Sequence, residues 1–328
     1  MIAVTGANGL LGSFVVRKLL DQGEPFVALC RKGSDRSALN DVASKVSWRI
    51  ADIMNPVELR EALQDTTHVI HTAASVSFNP LRADEVTDIN VIGTRNVVNI
   101  CLDQHVKRLV HVSSVAALSR QRDQMIIDET NKWIESPTNN VYASSKYQSE
   151  LEVFRGQEEG LSTVVINPSF ILGEGNWNVS SMQLFKYAWE QHPFYIDGFL
   201  NYVDVKDVAS IIIALLHDPV EGERYIASTG KISFRDMLEK MATRFSKKVP
   251  SIKITKGVLK PLAFVESVRT RITRTEPRIT YETARLAGTE FLFDNRKITN
   301  KLDFEFQPID ETLERCCRYY IQRVNSKK

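Results

Sequence analysis

The chain has 328 residues, of which 43% are hydrophobic and 25% charged, and 42 Lys and Arg against 40 Asp and Glu leave a net charge of +2. This balance excludes a disordered or fibrous polypeptide and gives no global attraction to nucleic acid. No apolar run reaches the ~18 residues of a membrane-spanning helix, and the length suffices for a full core without disulfide or metal staples.

The four cysteines, Cys30, Cys101, Cys316 and Cys317, form no Cys-x-x-Cys and have no zinc-ligand spacing. No metal site is expected, and the thiols fit a cytoplasmic protein. The vicinal pair Cys316-Cys317 reads as a coincidence on a helix. A secretion signal is not expected, because the chain starts directly on its first strand.

In chain order, Met1 to Val4 is a short apolar strand and Leu10 to Leu20 an apolar-periodic helix. Between them lie Gly6, Asn8, Gly9, Leu10, Leu11 and Gly12, with glycines at i, i+3 and i+6. Glycines at a strand-to-helix turn let backbone close on a phosphate, and the helix N-terminus adds unpaired N–H groups and partial positive charge. Phe26–Cys30, Val46–Ile50, Thr67–His71, Arg108–Val112 and Ser162–Asn167 read as five further strands. Helical patterns at Pro56–Leu63, Asp84–Gln104 and Asn139–Phe154 alternate with them, and a polar loop spans Ser119–Thr138. Alternation of this kind predicts an α/β fold of the Rossmann type, a doubly wound parallel sheet with its ligand at the carboxyl ends of the strands.

After residue 170 the rhythm changes. The expected organisation is a dinucleotide-binding domain over 1–170, with returns from about 200–216 such as Val203–Leu216. A smaller C-terminal substrate-binding lobe takes most of 171–328. Residues 247–278 are locally basic, with nine Lys and Arg against Glu266 and Glu276. A solvated helix and loop is the simplest reading. A patch for an anionic substrate and a membrane-surface helix over Val258–Ile272 are the sharper ones.

Several strand ends carry chemistry. Arg31, followed by Lys32, lies 19 residues beyond Gly12, where an acid would meet the ribose 2′-hydroxyl of NAD. A guanidinium there suits a 2′-phosphate, so NADP(H) is the expected cofactor, with NAD(H) as the alternative. Asp52 can accept from an adenine amino group while Ile53 packs on the ring. Equally, Asp52 can cap the helix that begins at Pro56. Ala73, Ala74 and Ser75 are small enough for close backbone approach to a ligand, and His71 before them reads as a packed strand residue. Tyr142 and Lys146 stand at i and i+4, hence on one helix face. Lowering a Tyr pKa from about 10 to about 7 takes roughly 4 kcal/mol. One ammonium at ~4 Å in an effective dielectric of ~20 supplies about that much. Tyr142 is therefore read as a general acid/base tuned by Lys146. A hydroxyl from Ser113-Ser114 can steady the same substrate oxygen. In Asn167-Pro168-Ser169, Pro168 can wall the nicotinamide or simply end a strand.

These segments, with Asn90-Val91-Ile92-Gly93-Thr94 and Tyr202 to Ala209, occur in the order found in the extended short-chain dehydrogenase/reductase family. The chain resembles that family, within the NAD-dependent epimerase/dehydratase superfamily. Asn167 to Gly173 and Arg31 are most similar to its dihydroflavonol reductase and hydroxysteroid dehydrogenase branch. The resemblance implies a catalytic set of Ser114, Tyr142 and Lys146, with Ser113 as the fallback serine, and a cofactor role for Asn90. It also implies a homodimer through the helices of 84–104 and 139–156. Candidate substrate contacts are Phe78, Ser119, Asn167, Phe170, Trp177 and Met182. Loop residues of the flavonoid reductases have no clear match, so a flavonoid substrate does not follow.

Three functions are weighed. The first is an NADP(H)-dependent oxidoreductase acting on a small-molecule carbonyl or alcohol. The second is a nucleotide-sugar epimerase or dehydratase with tightly bound NAD, which Arg31 and Val115-Ala116 oppose and the basic segment favours. The third is a non-catalytic NADP-binding protein.

Overall fold

The computed structural model describes residues 1–119, 124–136, 139–255, 257–259, 261, 266, 269 and 290–326. The first half alternates strand and helix: β1 (Ile2–Thr5), α1 (Leu10–Gln22), β2 (Phe26–Cys30), β3 (Trp48–Ile50), α2 (Pro56–Ala62), β4 (His68–His71), α3 (Ala83–Thr87), α4 (Gly93–Asp103), β5 (Arg108–Val112), a short β6 (Ile126–Ile127), α5 (Val141–Glu158) and β7 (Thr163–Pro168). The second half is mixed: β8 (Phe170–Leu172), α6 (Gln183–Trp189), β9 (Phe194–Ile196), β10 (Phe199–Asp204), α7 (Val205–His217), β11 (Glu223–Ala227), β12 (Gly230–Ser233), α8 (Phe234–Arg244), β13 (Ile252–Ile254), β14 (Leu292–Phe293), α9 (Arg296–Leu302) and α10 (Ile309–Asn325).

Seven strands form one sheet in the order β11-β7-β5-β4-β1-β2-β3, every pair parallel. All carboxyl ends therefore meet along one edge, and strand order reverses between β1 and β4. Strand periodicity assigns the two faces. Ile2 and Val4 pack with α1 and α7, whereas Ala3, Val27 and Val69 pack with α2, α4 and α5. Local chemistry sets the helix ends. Gly23, at φ +69°, closes α1 through its N–H, and Asn55 caps α2 ahead of Pro56.

The helix expected over Asp84–Gln104 is present and carries a π-helical turn. This turn, at Asp88–Ile92, lies between α3 and α4, which re-aims Asn90 towards the strand ends. The polar loop of 119–138 contains β6, which pairs with β14. Val203–Leu216 does not return to the main sheet as a strand. Its first residues end β10, which pairs with β8 and β12 in a separate three-stranded sheet. The remainder is α7, apolar on nearly every side and buried between α1 and the main sheet. The seventh strand is instead β11, outside the expected return. Most of the basic segment, and of the suggested membrane-surface helix, lies outside the described residues. Among those described, no helix is long and apolar enough to cross a membrane.

Helix α10 fastens the lobe to the sheet domain. Leu313, Cys316, Cys317 and Tyr320 are buried in the lobe core, and burial pushes the Cys317 thiol up to about 12. All four cysteines are free and buried. Arg315 Nε bonds Glu174 at 2.6 Å, and its Nη2 pairs with the buried Asp204 at 2.9 Å. Thr312 donates to Asp204 at 2.6 Å, and the neighbouring Asp207 accepts the Gln307 N–H at 2.9 Å.

Burial, with Asp204 adding like charge, pushes the Asp207 carboxyl up to about 6. An unfolded Asp titrates near 3.9. Stability from this group is therefore full below about 4 and is lost as pH rises through about 6. Asp207→Asn keeps an acceptor for Gln307. It is expected to exceed wild-type stability at pH 7.5 by up to about 3 kcal/mol and to lose that margin by pH 4. Thermal denaturation across this range checks it, and equal melting at pH 7.5 contradicts it.

Candidate active site

The glycine turn is built by exclusion of side chains. At Gly6, φ is +67°, and a Cβ would lie 2.7 Å from the Ala73 backbone. At Gly12 it would lie 2.2 Å from the Gly6 carbonyl oxygen. Gly9 is the N-cap of α1 and provides no side-chain cap, so the first-turn N–H groups face the exposed side of the turn. Leu10 reaches the other way, and Cβ atoms at Gly173 and Gly175 would meet its methyl group. Asn8 Nδ2 ties the turn to the Asp35 carbonyl at 3.0 Å. This cradle fits the pyrophosphate of a dinucleotide.

Arg31 and Lys32 are both exposed at the end of β2. Asp52 accepts the Met54 N–H at 2.9 Å, and it does not cap α2, since Asn55 does. Ile53 is buried against Gly93, and its carbonyl accepts from Asn96. Its side chain thus belongs to the core beside α4. Asn90 is fully enclosed. It accepts the Ser75 N–H at 2.8 Å and donates to the Ser75 carbonyl at 3.0 Å and to Ser145 Oγ at 2.9 Å. One side chain thereby clamps the loop of Ala73, Ala74 and Ser75 to α5.

Helix α5 starts at an Asn140 cap whose side chain accepts the Ala143 N–H at 2.6 Å. Tyr142 and Lys146 fall on its inner face. The structure separates the two serines. The Ser114 hydroxyl lies near the Tyr142 phenol and accepts the Ala116 N–H at 3.1 Å, while the Ser113 hydroxyl faces the buried Glu150. Lys146 is 2% exposed and donates to the Val112 carbonyl at 2.8 Å. Burial lowers it to about 8, with Glu150 pulling it back up.

The surroundings of the Tyr142 phenol are mostly apolar in their effect. Burial raises the phenol, and the nearby Ser114 hydroxyl opposes it. The Lys146 ammonium is directed to the Val112 carbonyl. His71 is a packed strand residue, held between Thr5 (2.7 Å) and Thr94 (3.1 Å) and lowered to about 3 by burial.

Of the substrate candidates, Phe78 meets Tyr142 edge-on at 5.7 Å and is 43% exposed. The others are committed elsewhere. Asn167 is buried and donates to the Ser114 carbonyl (2.9 Å) and to Glu150 (2.6 Å). Ser119 pins its own loop by accepting the Ile134 N–H at 2.6 Å. Trp177 stacks on Tyr320, Met182 is enclosed in the lobe core, and Phe170 packs against that core from β8. Pro168 ends β7, buried opposite Ala227 of β11. Glu150 and its partner Arg224 are site residues that the sequence reading missed. The available signal was the spacing Lys146-x-x-x-Glu150. Among the described residues, no group of His, Cys, Asp and Glu could hold a metal ion.

The model of the NAD-dependent epimerase/dehydratase family matches residues 2–227. Cinnamoyl-CoA reductase 1 of Petunia hybrida is 30% identical over 80% of this chain and 84% of its own. A Synechocystis protein provisionally named dihydroflavonol 4-reductase is 28% identical over 94% of this chain and 91% of its own. The solved structure of UDP-glucose 4-epimerase from Thermotoga maritima superposes with a TM-score of 0.81 over 98% of this chain and 99% of that one, and at 17% identity it shows the fold alone. The chain belongs to the NAD-dependent epimerase/dehydratase family.

Proposed function

We propose that the protein is an NADP(H)-dependent oxidoreductase that interconverts a small-molecule carbonyl and its alcohol. The observation that carries this reading is the placement of Tyr142 and Lys146 one turn apart on α5, with the phenol near the Ser114 hydroxyl at the end of β5. Reductase names among the relatives support it. The Gly6–Gly12 turn would hold the pyrophosphate, and Arg31 and Lys32 would meet a 2′-phosphate, with NAD(H) the weaker alternative. Ala73 to Ser75, Asn90, Asp52, Ile53 and Pro168 would complete the cofactor's surroundings. Lys146 would serve the ribose side. The nicotinamide, when bound, supplies hydride chemistry.

Tyr142 is the group that gives a proton to the substrate oxygen, or takes one from it, at Oη. Ser114 Oγ orients that oxygen. Phe78 beside Tyr142, with Val76 and Leu81 exposed on the same segment, offers an apolar approach that suits a bulky, weakly polar substrate. We also propose that α4 and α5 pair across a homodimer, and that four buried free thiols belong to a reducing cytoplasm. The epimerase and dehydratase names of structural neighbours do not favour the rival reading, because they come with identities that speak for fold only.

Two measurements test this. In a panel of ketones, aldehydes and nucleotide sugars, NADPH oxidation should appear with a carbonyl. Tyr142→Phe should cut kcat by about 100-fold or more while leaving NADPH affinity unchanged. A variant that retains a tenth of wild-type turnover sinks the assignment. In direct titration, NADPH should bind at least about tenfold more tightly than NADH, a gap of roughly 1.4 kcal/mol, and Arg31→Asp should close it. A wild type that prefers NADH overturns the cofactor choice.

A further inference from the structure

Behind Lys146, away from Tyr142, lies an ionic chain that the proposed chemistry does not use. Glu150 stands one turn beyond Lys146 on the same face of α5 and is 1% exposed. Its Oε1 accepts from Asn167 at 2.6 Å, and its Oε2 lies 3.4 Å from Arg224 Nη1. The Ser113 hydroxyl faces the same carboxyl. Arg224 sits on β11, its side chain 24% exposed. It lines an open surface cleft of about 710 Å³ with Glu129, Asp294 and Lys297.

A carboxylate at this depth is costly unless it is paired and hydrogen-bonded. This one is met by the Asn167 amide and the Arg224 guanidinium, and burial still pushes its carboxyl up. Around Lys146, the other titratable groups come from β4 and β5. They are His71 and His111, and burial keeps both neutral. Among the described residues, Glu150 is the carboxylate whose charge acts on Lys146.

We propose that Glu150, one turn along α5 from Lys146 and buried with it, is a positioning residue whose charge supports the Lys146 ammonium, and that Arg224, from the outer cleft, supports Glu150 as the carboxylate. The inference rests on the reading of Lys146 as part of the cofactor and proton site. The chain Arg224–Glu150–Lys146 then alternates in sign from the surface inward. Loss of Arg224 favours the neutral carboxyl, and loss of Glu150 favours the neutral amine. A purely structural role for Glu150 would change melting without changing the titration of Lys146.

The test follows the Lys146 amine directly, by NMR of protein labelled at lysine Nζ, with Lys146→Arg to assign the signal. Wild type is expected to titrate near 8. Glu150→Gln should lower that midpoint by about one pH unit or more, a tenfold change in proton affinity. Arg224→Gln should lower it less, and Arg224→Lys should restore it. A midpoint unchanged in Glu150→Gln overturns the proposal. If Glu150→Gln does not fold, the partly exposed Arg224→Gln decides, and an unchanged midpoint there overturns it equally. The readout needs no substrate. A Tyr142→Phe variant that stays active would sink the oxidoreductase reading while leaving this result to stand or fall on its own.

Discussion

The contact of Gly12 with the Gly6 carbonyl constrains everything else at the strand-end edge. A Cβ at Gly12 would lie 2.2 Å from that oxygen and 2.8 Å from Ala7 Cα. Only without one can α1 begin directly on top of its turn. Gly6 adds a left-handed φ and a close approach to Ala73, which joins the ends of β1 and β4 where the strand order reverses. The loop after β4 is therefore held against the glycine turn. Asn90 passes that position on to α5 through Ser75 and Ser145. Two backbone contacts and one amide side chain thus fix the distance between a phosphate cradle and a phenol that are more than 130 residues apart in sequence.

Below this edge the interior is polar to an unusual depth. Thr5, His71, Thr94, Asn90, Ser145, Lys146, Glu150 and Asn167 are all buried, and each finds a partner within the protein. Such groups stabilise little in net terms but cost ~1–3 kcal/mol each when a partner is removed. Their energetic role is one of specification: a shift of α5 relative to β5 or β7 would break several bonds at once. The inner face of α5 is consequently made of Ser145, Lys146, Ser149 and Glu150 rather than of an apolar stripe.

That composition explains what could be read from sequence and what could not. The strands are local apolar runs, and the glycine turn is a local spacing, so the parallel sheet and its cradle were legible. Tyr142 and Lys146 were legible as a pair on one helix face. Their partners were not, because Val112, Glu150 and Asn167 come together only when β5, α5 and β7 pack. The choice between Ser113 and Ser114 depends on which serine faces up and which faces down at a strand end. The cap of α2 is likewise misplaced from sequence: Asp52 is the candidate, and the geometry gives the place to Asn55. β11 was hidden because its five residues follow a helix in a region without clean alternation. The packing of the wall candidates was hidden for a related reason: Met182 is enclosed in the lobe core and Trp177 packs against it.

The charge balance alters how the site is understood. With a lysine pointed at the phenol, Tyr142 would be an anion close to neutral pH, suited to taking a proton from an alcohol. In the structure the ammonium donates to a backbone carbonyl, and burial holds the phenol above its usual range. A phenol in that environment keeps its proton at neutral pH. On the oxidoreductase reading, Tyr142 therefore enters the site protonated, able to give its proton to a carbonyl oxygen.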